Sequence, residues 1–193
     1  EAFLDEFGYS FTQFTCCIMD LIAIGDEIDN QVKRKNRDLI CATISDHLNF
    51  EKSVVGKIIN DLSLSKRDDY LKPPHGYKKI DIWPWRFNRR LSFTRKPIAS
   101  VDNDLIWGNR QLYHCLLYTI DLIRDDKLPV NEKGKLKALM SKISNYSGNN
   151  FNDTVANRIN SLGLFIVDSK VKKINGKRIN SLDNNTLGDI DVL

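Results

Sequence analysis

Hydrophobic residues recur every three or four positions along much of the chain, and this spacing predicts amphipathic α-helices. The predicted helices cover residues 3–28 (broken near Gly8), 37–47, 51–62, 110–124, 135–143 and 151–162. Asn109 is expected to cap the fourth, and the polar residues 145–150 are expected to form a loop. The helices at 37–47 and 51–62 are compatible with a helix-turn-helix, although the second offers only Lys52 and Lys57 for phosphate contacts.

Alternating patterns and turn residues predict strands in two places. Residues 97–101 and 105–107, joined by Asp102-Asn103-Asp104, are expected to form a hairpin. Residues 164–174 form a second predicted strand, which Asn175-Gly176 turns back into residues 177–182. A last strand is expected within residues 187–193. The fold class is therefore mainly α, with a small α+β carboxyl-terminal part.

The polar segment 125–134, which contains Pro129 and Gly134, is the predicted domain boundary. It separates a helical region, residues 1–125, from a carboxyl-terminal domain, residues 135–193.

No apolar run is long enough for a membrane span, and no export signal opens the chain. The four cysteines lie in apolar surroundings without metal-ligand spacing, which indicates reduced core thiols in a cytoplasmic protein.

Positive charge is concentrated in one segment. Residues 66–96 contain ten basic and three acidic side chains, a net charge of +7 in a chain whose total is +4. Such a concentration is typical of proteins that bind polyanions. Aromatic and basic residues alternate within it, so that rings could stack on bases while cations hold phosphates. The candidate nucleic-acid-binding residues are Trp83, Trp85, Arg86, Arg89, Arg90, Arg95 and Lys96. The alternative is a long structural loop, docked on the helices through its tryptophans, whose arginines bridge helix carboxyl termini and acidic side chains.

The carboxyl-terminal order of elements is helix, strand, hairpin and then a strand containing Gly188-Asp189-Ile190-Asp191. This segment resembles the entry into the PD-(D/E)XK, restriction-endonuclease-like nuclease superfamily. The resemblance implies that Asp191 is a catalytic metal ligand, with Asp189 a weaker candidate, and that the metal is Mg²⁺. A divalent cation held by carboxylates clamps a phosphate and lowers the pKa of the attacking water.

Two features depart from that family. Asn152 occupies the helix position where the family often has Glu, and no Glu-x-Lys strand follows Asp191 within the 193 residues. Cleavage is therefore expected of a longer parent chain and not of these residues alone. The sequence predicts part of a bacterial-type, Mg²⁺-dependent nuclease acting on nucleic acid, with DNA the expected partner. The alternatives are a non-catalytic nucleic-acid-binding or protein-interaction module with a vestigial nuclease-like end, and a helical scaffold.

Overall fold

The computed structural model describes most of the chain. The described residues are 1–28, 32–67, 69, 71–75, 77–83 and 90–163, and the backbone of residues 169–171, 173–174, 177–178 and 190–192. They form two compact units, Glu1–Ser141 and Lys142–Leu193.

Six α-helices lie in the described part of the chain, as the hydrophobic spacing predicts for most of them. They are α1 (Ala2–Phe7), α2 (Phe11–Asp26), α3 (Arg37–Leu48), α4 (Lys52–Leu62), α5 (Asn109–Arg124) and α6 (Lys135–Asn160). The prediction of a mainly helical protein is confirmed, and a small four-stranded mixed sheet accompanies the helices.

The predicted break near Gly8 separates α1 from α2. Gly8 adopts a left-handed conformation, with φ of 75°, and its N–H donates to the Leu4 carbonyl at 2.8 Å. Ser10 then starts α2 through a capping box, in which its hydroxyl accepts from the Gln13 N–H at 3.1 Å while the Gln13 side chain accepts from the Ser10 N–H at 2.8 Å. Local sequence alone therefore accounts for this corner.

The core of the first unit lies between α2, α3, α4 and α5. Its fully buried side chains include Ile18, Leu21, Ile40, Ile44, Ile58, Ile59, Leu105, Trp107 and Leu112. The buried face of α3 consists of Ile40, Cys41 and Ile44, whereas Leu39 is 55% exposed.

The mixed sheet has the order β1-β4-β3-β2, with β1 (Lys33–Asn36), β2 (Ser63–Ser65), β3 (Ile98–Val101) and β4 (Asp104–Trp107). The predicted hairpin is confirmed as β3 and β4, which pair antiparallel. The edge strands β1 and β2 were missed. β1 reads Lys-Arg-Lys-Asn and β2 has three residues, so neither carries an alternating apolar signal.

Asn109 does not cap α5, contrary to the prediction. Gly108 occupies the cap position without a side-chain hydrogen bond. The Asn109 amide instead donates to the Ile22 carbonyl at 3.0 Å and to the Asp26 carboxylate at 2.6 Å, and so ties the start of α5 to the end of α2. The bonds to α2 have therefore replaced the capping bond that the sequence predicts for Asn109.

The expected loop at residues 145–150 is helical, because α6 continues unbroken to Asn160. The compact units divide inside this helix, between Ser141 and Lys142, whereas the sequence placed the domain boundary at residues 125–134. Leu128, Leu136 and Met140 are buried in the core of the first unit, which explains why the chain stays in that unit beyond the polar segment.

The second unit continues with short strands, β5 (Ser169–Val171), β6 (Lys173–Ile174), β7 (Lys177–Arg178) and β8 (Ile190–Val192). β6 and β7 pair antiparallel, with Ile174 opposite Lys177, as the predicted hairpin requires. The predicted turn at Asn175-Gly176 lies outside the described residues. β8 pairs antiparallel with β5.

All four cysteines are reduced, and Cys17, Cys41 and Cys115 are buried, which agrees with the prediction of core thiols. Burial raises the pKa of Cys17 to about 12 and that of Cys115 to about 11. Among the described helices, none combines the length and apolarity needed to cross a membrane.

Replacing Gly8 should destabilise the first unit, because alanine is strained at a positive φ. We expect Gly8→Ala to lower the free energy of unfolding by about 1–2 kcal/mol in urea titrations. Gly56→Ala is the matched control, since Gly56 is helical with open space around an added methyl group. It should raise the free energy by up to about 1 kcal/mol. Equal effects at both positions would contradict the left-handed corner.

The buried thiols predict a loss of stability at alkaline pH. Unfolded thiols ionise near pH 9.0, whereas folded Cys17 and Cys115 hold their protons to about pH 12 and 11. The folded state therefore binds more protons above pH 9, and the free energy of unfolding should fall as the pH rises through that range. In the double variant Cys17→Ala/Cys115→Ala, the free energy of unfolding should fall less steeply above pH 9 than in the wild type. Between pH 7 and 8 the difference in free energy of unfolding between variant and wild type should be constant. An unchanged slope would disprove this origin.

Candidate functional site

Four of the seven predicted nucleic-acid-binding residues lie in the described part of the chain: Trp83, Arg90, Arg95 and Lys96. Trp85, Arg86 and Arg89 lie outside the described residues. A short 3-10 helix, Lys79–Asp81, precedes the segment, and its Asp81 carbonyl accepts from the Leu91 N–H at 3.2 Å. Ser92 accepts backbone bonds from Arg95 and Lys96, which forms a tight turn. Backbone hydrogen bonds therefore hold the segment that carries Arg95 and Lys96.

Arg90, Arg95 and Lys96 converge on one cavity of about 70 Å³ in the first unit. We call it the basic cavity. Tyr9, Asp61 and Tyr77 also line it, and Phe3, Phe7 and Phe14 form an aromatic wall. These rings pack on one another, with Tyr9 and Phe14 stacked at 6.2 Å between centroids. Positively charged side chains and packed aromatic rings therefore line the same cavity.

Lys96 holds the end of α4. Its ammonium donates to the Asp61 carbonyl at 2.7 Å and to the Asn60 carbonyl at 3.4 Å, and the residue is only 9% exposed. Burial lowers its pKa, and the nearby Asp61 opposes that shift. A cation at a helix carboxyl terminus satisfies otherwise unpaired carbonyls. Lys96 thus bonds a helix terminus in the way that the structural alternative expects of the arginines.

Arg95 is half-buried, and its surroundings differ from those of Lys96. Burial lowers its pKa, and Arg90 adds repulsion. Its Nη1 is inaccessible to solvent and has no hydrogen-bond partner among the described residues. The carboxylate of Asp61, which also lines the cavity, instead accepts a 2.8 Å bond from the Tyr9 hydroxyl. Burial is also the first cause of a raised pKa for Tyr9, so this hydroxyl stays protonated and donates.

Arg90 is exposed beside the cavity. Its guanidinium carbon lies 4.8 Å from the centroid of the Tyr77 ring, within the range of a cation–π contact. The Tyr77 N–H donates to the Pro74 carbonyl at 3.1 Å, which fixes the backbone that carries this ring.

Sequence reasoning missed Tyr9 and Asp61 as members of this site. They come from the corner after α1 and from the last turn of α4, far from residues 90–96 in the chain. An isolated tyrosine and an isolated aspartate carry no motif. Only the fold brings them together, so no sequence signal could have identified them.

The nuclease-like segment is described through its backbone. Asp191 is the central residue of β8, between Ile190, which pairs with Val171, and Val192, which pairs with Ser169. Asp189 lies outside the described residues. Over the part of the chain whose side chains are described, no cluster of three His, Cys, Asp or Glu residues could hold a metal ion.

These observations define a mainly helical protein with a small mixed sheet and a cation-rich cavity. The family model of the Upx-like anti-phage proteins matches residues 22–193, and the chain belongs to that family. Comparisons with curated proteins and with solved structures gave no match. Membership places the chain among proteins of defence against phage.

Lys96 is expected to be a stabilising residue. Lys96→Met removes the ammonium that donates to the Asp61 carbonyl, whereas the Asn60 carbonyl keeps the bond that it accepts from the Ser63 N–H. The free energy of unfolding should therefore fall by about 1–3 kcal/mol in urea titrations. Arg90→Gln removes the same charge from an exposed position and should change it by less than about 0.5 kcal/mol. If Lys96→Met is as stable as Arg90→Gln, the lysine does not hold α4.

Proposed function

We propose that this chain is part of a longer protein that acts in anti-phage defence by cutting nucleic acid, and that Asp191 on β8 holds the Mg²⁺ ion of the reaction. Membership of the anti-phage family supplies the biological setting. The nuclease chemistry is inferred from the carboxyl-terminal segment. DNA is the expected substrate class.

The order and pairing of elements support the proposal most directly. A long helix, α6, is followed by β5, by the β6–β7 pair and then by β8, which returns to pair with β5. The central residue of β8 is an aspartate. Ladder hydrogen bonds on both sides of Asp191 fix its backbone, as a metal ligand requires.

The donor chemistry fits a hard divalent cation. Asp191 lies on β8, and the sequence predicts that Asp189, two positions before it, would share its face on an extended strand. Carboxylate oxygens are the protein ligands that Mg²⁺ prefers. When bound, Mg²⁺ would polarise the scissile phosphate and lower the pKa of the attacking water. Two carboxylates do not make a complete nuclease site, and the Glu-x-Lys pair of the family would come from a further strand.

Asp191→Ala should abolish cleavage by the full encoded chain. We expect Mg²⁺-dependent degradation of linear DNA to fall about 100-fold or more, because a metal ligand supplies several kcal/mol of transition-state stabilisation. Asp46→Ala, which removes an exposed carboxylate on α3, is the matched control and should retain activity. Chelation by EDTA should reproduce the loss.

Full activity in Asp191→Ala would refute the role of this residue. DNA binding by the wild-type chain without cleavage at any Mg²⁺ concentration would instead support the non-catalytic alternative. The excess of cations around the basic cavity favours this alternative, a non-catalytic module that binds nucleic acid.

A further inference from the structure

We propose that the basic cavity binds a phosphate monoester group, at a site that is independent of Asp191 and of nuclease chemistry. The phosphate could belong to a small molecule, such as inorganic phosphate or a nucleotide, or to the phosphorylated end of a nucleic-acid strand. The same contacts would recognise all of these.

Charge is the first argument. The described residues that line the cavity include three cations, Arg90, Arg95 and Lys96, and a single carboxylate, that of Asp61. This leaves two positive charges uncompensated. Burial is the main cause of the lowered pKa of Lys96, and repulsion from Arg95 and Arg90 lowers that pKa further. A phosphate monoester carries close to two negative charges at neutral pH and would cancel the excess.

Arg95 supplies the second argument. A buried charge is costly unless it is paired or hydrogen-bonded, yet Nη1 of Arg95 has neither solvent nor an acceptor among the described residues. A lysine could escape this cost by losing its proton, but a guanidinium stays charged in proteins. The planar, multi-donor fork of arginine matches phosphate oxygens. An anionic acceptor bound in the cavity would therefore satisfy Nη1 of Arg95.

The remaining donors are arranged around the same space. Lys96 has three N–H donors, and two of them donate to carbonyls of α4, so among the described residues the third is available to a ligand. Arg90 is exposed and is oriented by its contact with Tyr77, which suits a group that meets a ligand at the entrance. Asp61 is engaged by the Tyr9 hydroxyl, which limits its repulsion of an anion.

Size and shape favour a terminal phosphate over a phosphodiester. One water needs roughly 10–15 Å³ of such a cavity, so about 70 Å³ accommodates a group of several heavy atoms. A phosphodiester within a strand must leave the site on both sides, whereas a monoester enters through one opening. Phe3, Phe7 and Phe14 line the cavity, and the ring of Phe3 packs against the other two. A diester would also bring only one negative charge.

Thermal unfolding and titration calorimetry test the site. Phosphate should raise the melting temperature of the full chain relative to chloride at equal ionic strength, because a ligand of the folded state stabilises it. Arg95→Met should bind phosphate about tenfold more weakly or worse, and should lose this rise. Its melting temperature in chloride should equal or exceed that of the wild type, since an uncompensated charge has been removed.

Two further variants keep the test decisive. Arg90→Gln changes an exposed residue that folding does not need, and should weaken phosphate binding several-fold. Arg124→Gln removes a charge from an exposed position that does not line the cavity, and should bind as the wild type does. Equal melting temperatures of the wild type in phosphate and chloride would overturn the proposal, as would undiminished binding by Arg95→Met.

The source of the phosphate is distinguished by the choice of probe. Binding of a 5′-phosphorylated oligonucleotide, but not of its 5′-hydroxyl counterpart, identifies a strand end. Binding of a nucleoside monophosphate, but of neither oligonucleotide, identifies a small molecule. Asp191→Ala should bind every probe as the wild type does, so the failure of the nuclease proposal and the failure of this one are separate results.

Discussion

The contact between Lys96 and the last carbonyls of α4 governs the arrangement of the first unit. Asn60 and Asp61 lie just before β2, and Lys96 lies just before β3. The bond therefore joins the two chain segments immediately before they enter the sheet as parallel neighbours, with Ser63 opposite Ile98. Parallel strands that are far apart in sequence need such a constraint, because no short turn sets their register.

The same constraint creates the basic cavity. Once Lys96 is fixed against α4, its neighbour Arg95 is carried into the unit and Asp61 is placed nearby. The two cations then differ in their surroundings. Lys96 finds carbonyl acceptors, whereas Nη1 of Arg95 finds none among the described residues. An apolar residue at position 95 would avoid burying Nη1 without an acceptor, so a ligand explains the arginine there better than stability does.

Local signals determined which elements sequence reasoning could find. The Gly8 corner, the α3–α4 pair and the β3–β4 hairpin depend on neighbouring residues, and their patterns were readable. β1 and β2 are strands only because β4 and β3 offer them a partner. Asn109 looked like a cap, but a bond to α2 outweighed its local preference. In α6, residues 145–150 stay helical despite their turn-forming composition.

The site was predictable only in part for the same reason. Clustering of charge identified Arg90, Arg95 and Lys96, and the structure brings these three together. Sequence could not separate Lys96, which donates to carbonyls of α4, from Arg95, whose Nη1 has no acceptor among the described residues, because that difference depends on how α4 packs against this segment. Nor could it supply Tyr9, which reaches Asp61 across 52 residues of chain.

The two proposed sites would handle phosphate by opposite electrostatic means. A carboxylate such as Asp191 repels a phosphate unless a divalent cation lies between them, so its chemistry depends on metal. The basic cavity carries its own positive charge and would attract a phosphate directly. A protein with both would bind one phosphate without metal and cut another with it. Because the cavity residues belong to the first unit and Asp191 to the second, each property can be altered alone.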